Sequence, residues 1–144
     1  MLNNLYENIE KLFWWKAFWE LSMDEVAKNL GIKKASLYHY FSSKEDMFLK
    51  ILEYSFGKYR LFLLDVLTSD KLEQIVSDLI TFPYMEKNLF SIVGERWYCC
   101  NKQTMDLISE RNKEIDEIFS DFWKKYSLSQ ERLLILRSVV SELG

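Results

Sequence analysis

One histidine, one proline, four glycines and two cysteines among 144 residues leave little room for several kinds of protein. The cysteines, Cys99 and Cys100, are neighbours, a spacing that seldom forms a bridge, so reduced thiols are expected and a disulfide framework is not. His39 is the sole histidine, no Cys/His spacing resembles a zinc site, and neither a metal nor a cofactor is expected. A Gly-rich phosphate loop is missing, as is a nucleophile with a matching base, which argues against an enzyme. Thiol chemistry at Cys99 and Cys100 would have Arg96 near in sequence, but no C-x-x-C spacing and no thiolate-stabilising cluster. No stretch of about 18 apolar residues occurs, and Met1 to Glu10 carries no basic cluster followed by an apolar run. Neither membrane spanning nor secretion is therefore expected, and the chain reads as cytoplasmic.

What is present belongs to a folded protein: 49% hydrophobic residues against 28% charged ones. The length suits one ordinary domain, or a small module joined to a modest helical body, and two large domains are excluded. Aromatic content of 16% is high enough to fill a core, line a ligand cavity or cover a partner surface. The net charge of −3 argues mildly against nucleic acid, since phosphate binding draws on Lys and Arg. Its distribution points the other way. Between Val26 and Lys44 stand Lys28, Lys33, Lys34 and Lys44 with no Asp or Glu, a positive window in an acidic chain. A solvated helix face would give the same run, so the surrounding motif has to decide.

Periodicity predicts an all-α fold. Leu5, Ile9, Leu12 and Phe13 recur at three- and four-residue spacing and mark a first helix ending near Trp15 or Lys16. Ser22-Met23-Asp24-Glu25 is an S-x-x-E capping box that opens a second helix, whose apolar face is Val26, Ala27 and Leu30. Gly31 follows, where a left-handed residue would stop it. A short third helix is expected over 33–40. It turns Leu37, with Tyr40 and Phe41, inward and leaves Lys34, Ala35, Ser36, Tyr38 and His39 outward. That exposed face allows close approach and offers donors for phosphates or base edges. Ser42 and Ser43, with Glu45, are expected to cap a fourth helix running to about Leu67. Later helices are expected at about 71–81, 85–98, 103–126 and 129–143, with Pro83 and 126–129 as breaks. In the third of these, Met105, Ile108, Ile115, Phe119, Phe122 and Tyr126 form one stripe.

The segment SMDEVAKNLGIKKASLYHYFSSKEDMF, Ser22 to Phe48, resembles the DNA-binding signature of the tetracycline-repressor (TetR) family. The resemblance rests on Val26 and Ala27, Gly31 and Ile32, Ala35 to Tyr38, the pair Tyr40 and Phe41, and Lys44 with Glu45. It implies an N-terminal three-helix unit with a helix-turn-helix over residues 1–45, followed by a helical ligand-binding and dimerisation domain over 46–144. The implied function is that of a homodimeric repressor released from a palindromic operator in double-stranded DNA by a small-molecule effector. Two reading helices would enter successive major-groove half-sites. Carried over by position, the DNA-binding residues are Lys33, Lys34, Ala35, Ser36, Tyr38, His39 and Lys44.

Departures from the family pattern qualify this. The family often has Gly at the position of Ala17, and Ser or Thr at those of Leu21 and Lys33. Lys33 thus lacks a capping hydroxyl but adds charge toward DNA. Met1 to Glu10 also contains no Lys or Arg, where family members usually carry a basic arm. These features, with the acidic total, leave a second reading open: a helical protein-interaction module that keeps the fold without operator specificity. Phe82, Tyr84, Met85, Phe90, Trp97, Tyr98, Cys99 and Met105 cluster where the family's effector cavity usually lies, and they would suit an apolar or aromatic molecule. Aromatic residues at helical spacing are also ordinary core. The helix expected at 129–143 resembles the first of two dimer helices, so the chain is expected to be C-terminally incomplete.

Overall fold

The computed structural model describes residues 2–85 and 101–125, together with Leu134, Ile135, 137–139 and Glu142. Among these residues every regular element is helical. Helix α1 (Leu2–Trp15) leads through a 3-10 turn at Phe18–Glu20 to α2 (Met23–Leu30) and α3 (Lys34–Tyr40). Then follow the long α4 (Lys44–Val66), α5 (Leu72–Met85) and α6 (Lys102–Lys125). The expected helix at 85–98 and most of that at 129–143 fall outside the described residues.

The boundaries have local causes. At the start of α2 the Glu25 N–H donates to Ser22 Oγ at 3.2 Å, and the Ser22 N–H donates back to the Glu25 carboxylate at 3.0 Å. Two orphan amides are satisfied reciprocally. At its other end Gly31 adopts φ 66° and ψ 28°, in the left-handed region. The Ile32 N–H then reaches Ala27 O at 3.1 Å and the Gly31 N–H reaches Lys28 O at 3.2 Å, the paired bonds of a Schellman turn.

Four local expectations shift. The cap of α4 is Ser43, which accepts from the Asp46 N–H at 3.0 Å, while the Asp46 carboxylate accepts from the Ser42 N–H at 2.9 Å; Asp46 takes the part expected of Glu45. Helix α5 continues past Pro83 to Met85. Phe82, one residue before the proline, is anchored in the core. Tyr40 is exposed whereas Phe41 is fully buried. On α6 the inward position of the first turn is Thr104, so Met105 points outward while Ile108, Ile115, Phe119 and Phe122 are buried.

Two apolar clusters organise the packing, and α4 contributes to both. The first gathers Ile9 and Phe13 of α1, Val26 and Ala27 of α2, Leu37 of α3, and Met47 to Phe56 of α4. Phe48 receives Phe13 and Phe18 edge-on, at ring-centroid distances of 5.4 and 5.3 Å. Ile108 of α6 belongs to this cluster as well, so a residue from the C-terminal half is buried with the N-terminal helices. The second cluster joins Leu63, Val66 and Leu67 to Ile75 and Leu79 of α5 and to Ile115, Phe119, Phe122 and Trp123 of α6.

Candidate nucleic-acid interface

Helix α3 is short, so its orientation depends on anchors at both ends. Leu37 and Phe41, four residues apart on one face, are both fully buried. Its last carbonyl, on Tyr40, accepts from Lys50 Nζ at 3.1 Å, and the same ammonium bonds Asp46 at 3.1 Å. Lys33 stands at the N-cap without a side-chain hydrogen bond. The turn at Gly31 therefore fixes where α3 begins, and α4 fixes where it ends.

With Leu37 committed to the core, the rest of the α3 surface is open. Lys33, Lys34, Ala35, Ser36, Tyr38 and His39 are all exposed on it. Tyr38 is 44% exposed, enough for its ring and hydroxyl to meet another surface. The five residues expected to face outward, Lys34, Ala35, Ser36, Tyr38 and His39, are among these exposed ones.

Lys44 is placed differently from them. Its Nζ donates to Phe18 O at 3.0 Å and lies 4.2 Å from the Phe18 ring centroid, so it braces the 3-10 turn against α4. Lys34 is exposed but paired, its Nζ 2.8 Å from Asp24 Oδ1 in the first turn of α2. That hydrogen bond holds the Lys34 ammonium above its usual pKa.

The residues expected to line an effector cavity are only partly described. Phe82 lies in a stack with Phe62, at 3.8 Å between centroids, and with Tyr59, at 5.5 Å. Burial pushes the Tyr59 hydroxyl up to about 12, against the opposing charge of Arg137. Met105 is 46% exposed. Tyr84 and Met85 are described by backbone alone, and Phe90, Trp97, Tyr98 and Cys99 fall outside the described residues.

Sequence reasoning missed the polar ties that hold α4. Glu10 of α1 is 1% exposed and accepts from Ser55 Oγ at 2.7 Å and Lys58 Nζ at 2.8 Å. Arg111 of α6 reaches Glu53 of α4 through Nε at 2.9 and 3.0 Å, and it also pairs with Glu114. No local signal in the sequence marks the first tie, because the partners of Glu10 are 45 and 48 residues away.

A capped helix joined through a left-handed glycine to a short second helix, anchored by Leu37 and exposed elsewhere, defines a helix-turn-helix unit. Residues 5–51 match the family described as bacterial regulatory proteins, tetR family. Over 64 residues the chain is 34% identical to the biofilm operon icaADBC HTH-type negative transcriptional regulator IcaR of Staphylococcus epidermidis. That alignment covers 44% of this chain and 35% of the relative, so the chain matches about a third of the relative's length. Among solved structures, the TetR family transcriptional regulator PfmR from Thermus thermophilus superposes with a TM-score of 0.73 at 20% identity, covering 96% of this chain and 81% of that one. A putative transcriptional regulator TetR family protein from Vibrio parahaemolyticus gives 0.66 at 17% identity, covering 98% and 83%. At these identities the likeness is one of fold. Among the described residues no helix is long and apolar enough to cross a membrane.

Proposed function

We propose that the protein is a cytoplasmic DNA-binding transcriptional repressor, a homodimer whose paired α3 helices read a palindromic operator and are released by a small-molecule effector. One observation carries this reading: α3 is anchored by Leu37 and Phe41 and presents Lys33, Ala35, Ser36, Tyr38 and His39 outward. A major groove about 12 Å wide admits one such helix, and small residues at Ala35 and Ser36 let its backbone approach the base edges. Tyr38 and His39 supply donors and acceptors, and Lys33 a charge for phosphate. The negative regulator IcaR, similar over 64 residues, favours repression over activation.

Release by an effector requires that α3 respond to the C-terminal half. Helix α4 supports such coupling because it is tied to α1 through Glu10 and to α6 through Arg111 and Ile108. A ligand that prefers one arrangement of α6 over another would shift the spacing of the two α3 helices. An apolar or aromatic effector accords with the Tyr59, Phe62 and Phe82 stack. The experiment is selection of bound sequences from random duplex DNA by the intact chain. A two-fold symmetric motif is the expected outcome, and recovery of no motif would reject the reading.

A further inference from the structure

One ammonium of the exposed α3 surface, that of Lys34, is already engaged by a carboxylate on the same surface. Lys34 begins α3 and Asp24 lies in the first turn of α2, and their 2.8 Å contact spans the turn of the helix-turn-helix. Both side chains stay open to solvent, 51% exposed for Lys34 and 68% for Asp24, so the pair is a surface feature and not part of the core. Lys34 Nζ also lies 6.0 Å from the centroid of the Tyr38 ring. One carboxylate therefore sets the position of a cation at the edge of the reading face.

We propose that Asp24 is a positioning residue that competes with DNA phosphate for Lys34 and so weakens binding to duplexes lacking the preferred sequence. This rests on the DNA-binding reading above. In the free protein Asp24 supplies the negative charge that a phosphate would supply in the complex. When Lys34 moves to a phosphate, Asp24 is left facing a polyanion and must recruit a cation from solution. That recruitment cancels part of the counterion release that drives nonspecific binding. The exchange matters in a chain with net charge −3.

The consequence is specific to the pair. Exposed ion pairs are weak, so removing Asp24 should leave the fold intact and change affinity for a random duplex only about two- to fivefold. With Lys34 unpaired before binding, the salt dependence should steepen by up to about 0.9 in the logarithmic slope.

The test uses the full chain and a pool of random-sequence duplexes, with affinity measured by anisotropy at several salt concentrations. Asp24→Asn, with Asp24→Ser as a second variant, is expected to bind more tightly than wild type and with a steeper slope. In a Lys34→Gln background the same substitutions are expected to do nothing. Equal tightening in both backgrounds would overturn the proposal, because it would assign the effect to general charge and not to this contact. Unchanged affinity in Asp24→Asn and Asp24→Ser, with wild type binding normally, would also overturn it while sparing the DNA-binding reading. Failure of wild type to bind any duplex would reject that reading and the inference with it.

Discussion

Glu10, almost without solvent exposure, accepts a hydrogen bond from Lys58 at 2.8 Å and ties the first helix to the middle of α4. A second bond, from Ser55 at 2.7 Å, occupies its other oxygen. A carboxylate this deep is tolerable only while both partners remain. Removing one partner of a buried pair leaves an uncompensated charge, and the loss is usually larger than the net contribution of the intact pair. Lys58→Met is therefore expected to destabilise the protein by roughly 2 kcal/mol in urea unfolding, discounted because Lys58 is partly exposed. Adding Glu10→Met to that variant should recover part of the loss. Further loss in the double variant would contradict the pairing.

The two faces of α3 should respond in opposite ways. Leu37 is fully buried, so Leu37→Ala is expected to cost about 2–5 kcal/mol of stability. Tyr38→Ala and His39→Ala should change stability by less than about 0.5 kcal/mol, as exposed positions usually do. Thermal unfolding of the three variants, read with duplex binding, separates anchoring from reading.

Two glycines make a second contrasting pair. Gly31 holds φ +66°, a conformation that side-chain-bearing residues rarely adopt, so Gly31→Ala should destabilise by about 1–2 kcal/mol. Gly57 sits within α4 with open space where a Cβ would be, and Gly57→Ala should stabilise by about 0.5–1 kcal/mol. Chemical denaturation midpoints would resolve both signs.

Acid should act through the helix caps. Glu25 sits below its ordinary value of 4.5, chiefly because the Ser22 N–H donates to it and also because of the Lys16 ammonium. Asp46 is also lowered from 3.8: burial opposes the shift, but the Ser42 N–H and Lys50 outweigh it. Folding lowers both values, so the folded state binds fewer protons. Their stabilisation is complete above the ordinary values and disappears as pH falls through the lowered folded ones. Glu25→Gln with Asp46→Asn should thus be less stable than wild type near pH 7, with the gap closing as pH falls through the lowered folded values. A gap that persisted in acid would contradict the assignment.

The parts of this fold that were legible in the sequence are the local ones. Ser22 and Glu25 are three residues apart, Gly31 closes the same helix, and the identity of each residue states its role. Leu37 was legible because the helical period separates it from Ser36 and Tyr38. What was not legible involves distant partners. Lys44 reads as a free cation beside DNA, yet its bond is to Phe18, 26 residues away. Glu10 and Lys58 are 48 residues apart, and nothing near Glu10 distinguishes a buried acid from a solvated one. Pro83 reads as a break because a single-residue rule takes no account of the stacked Phe82 beside it.

The most direct check on the central claim is competition binding at moderate salt, with the selected duplex displaced by random-sequence DNA, for wild type and Tyr38→Ala. The account predicts that wild type keeps the selected duplex against excess competitor and that Tyr38→Ala, equally folded, loses about 1–3 kcal/mol of that preference. Equal preference in both proteins would contradict a reading role for the exposed face of α3.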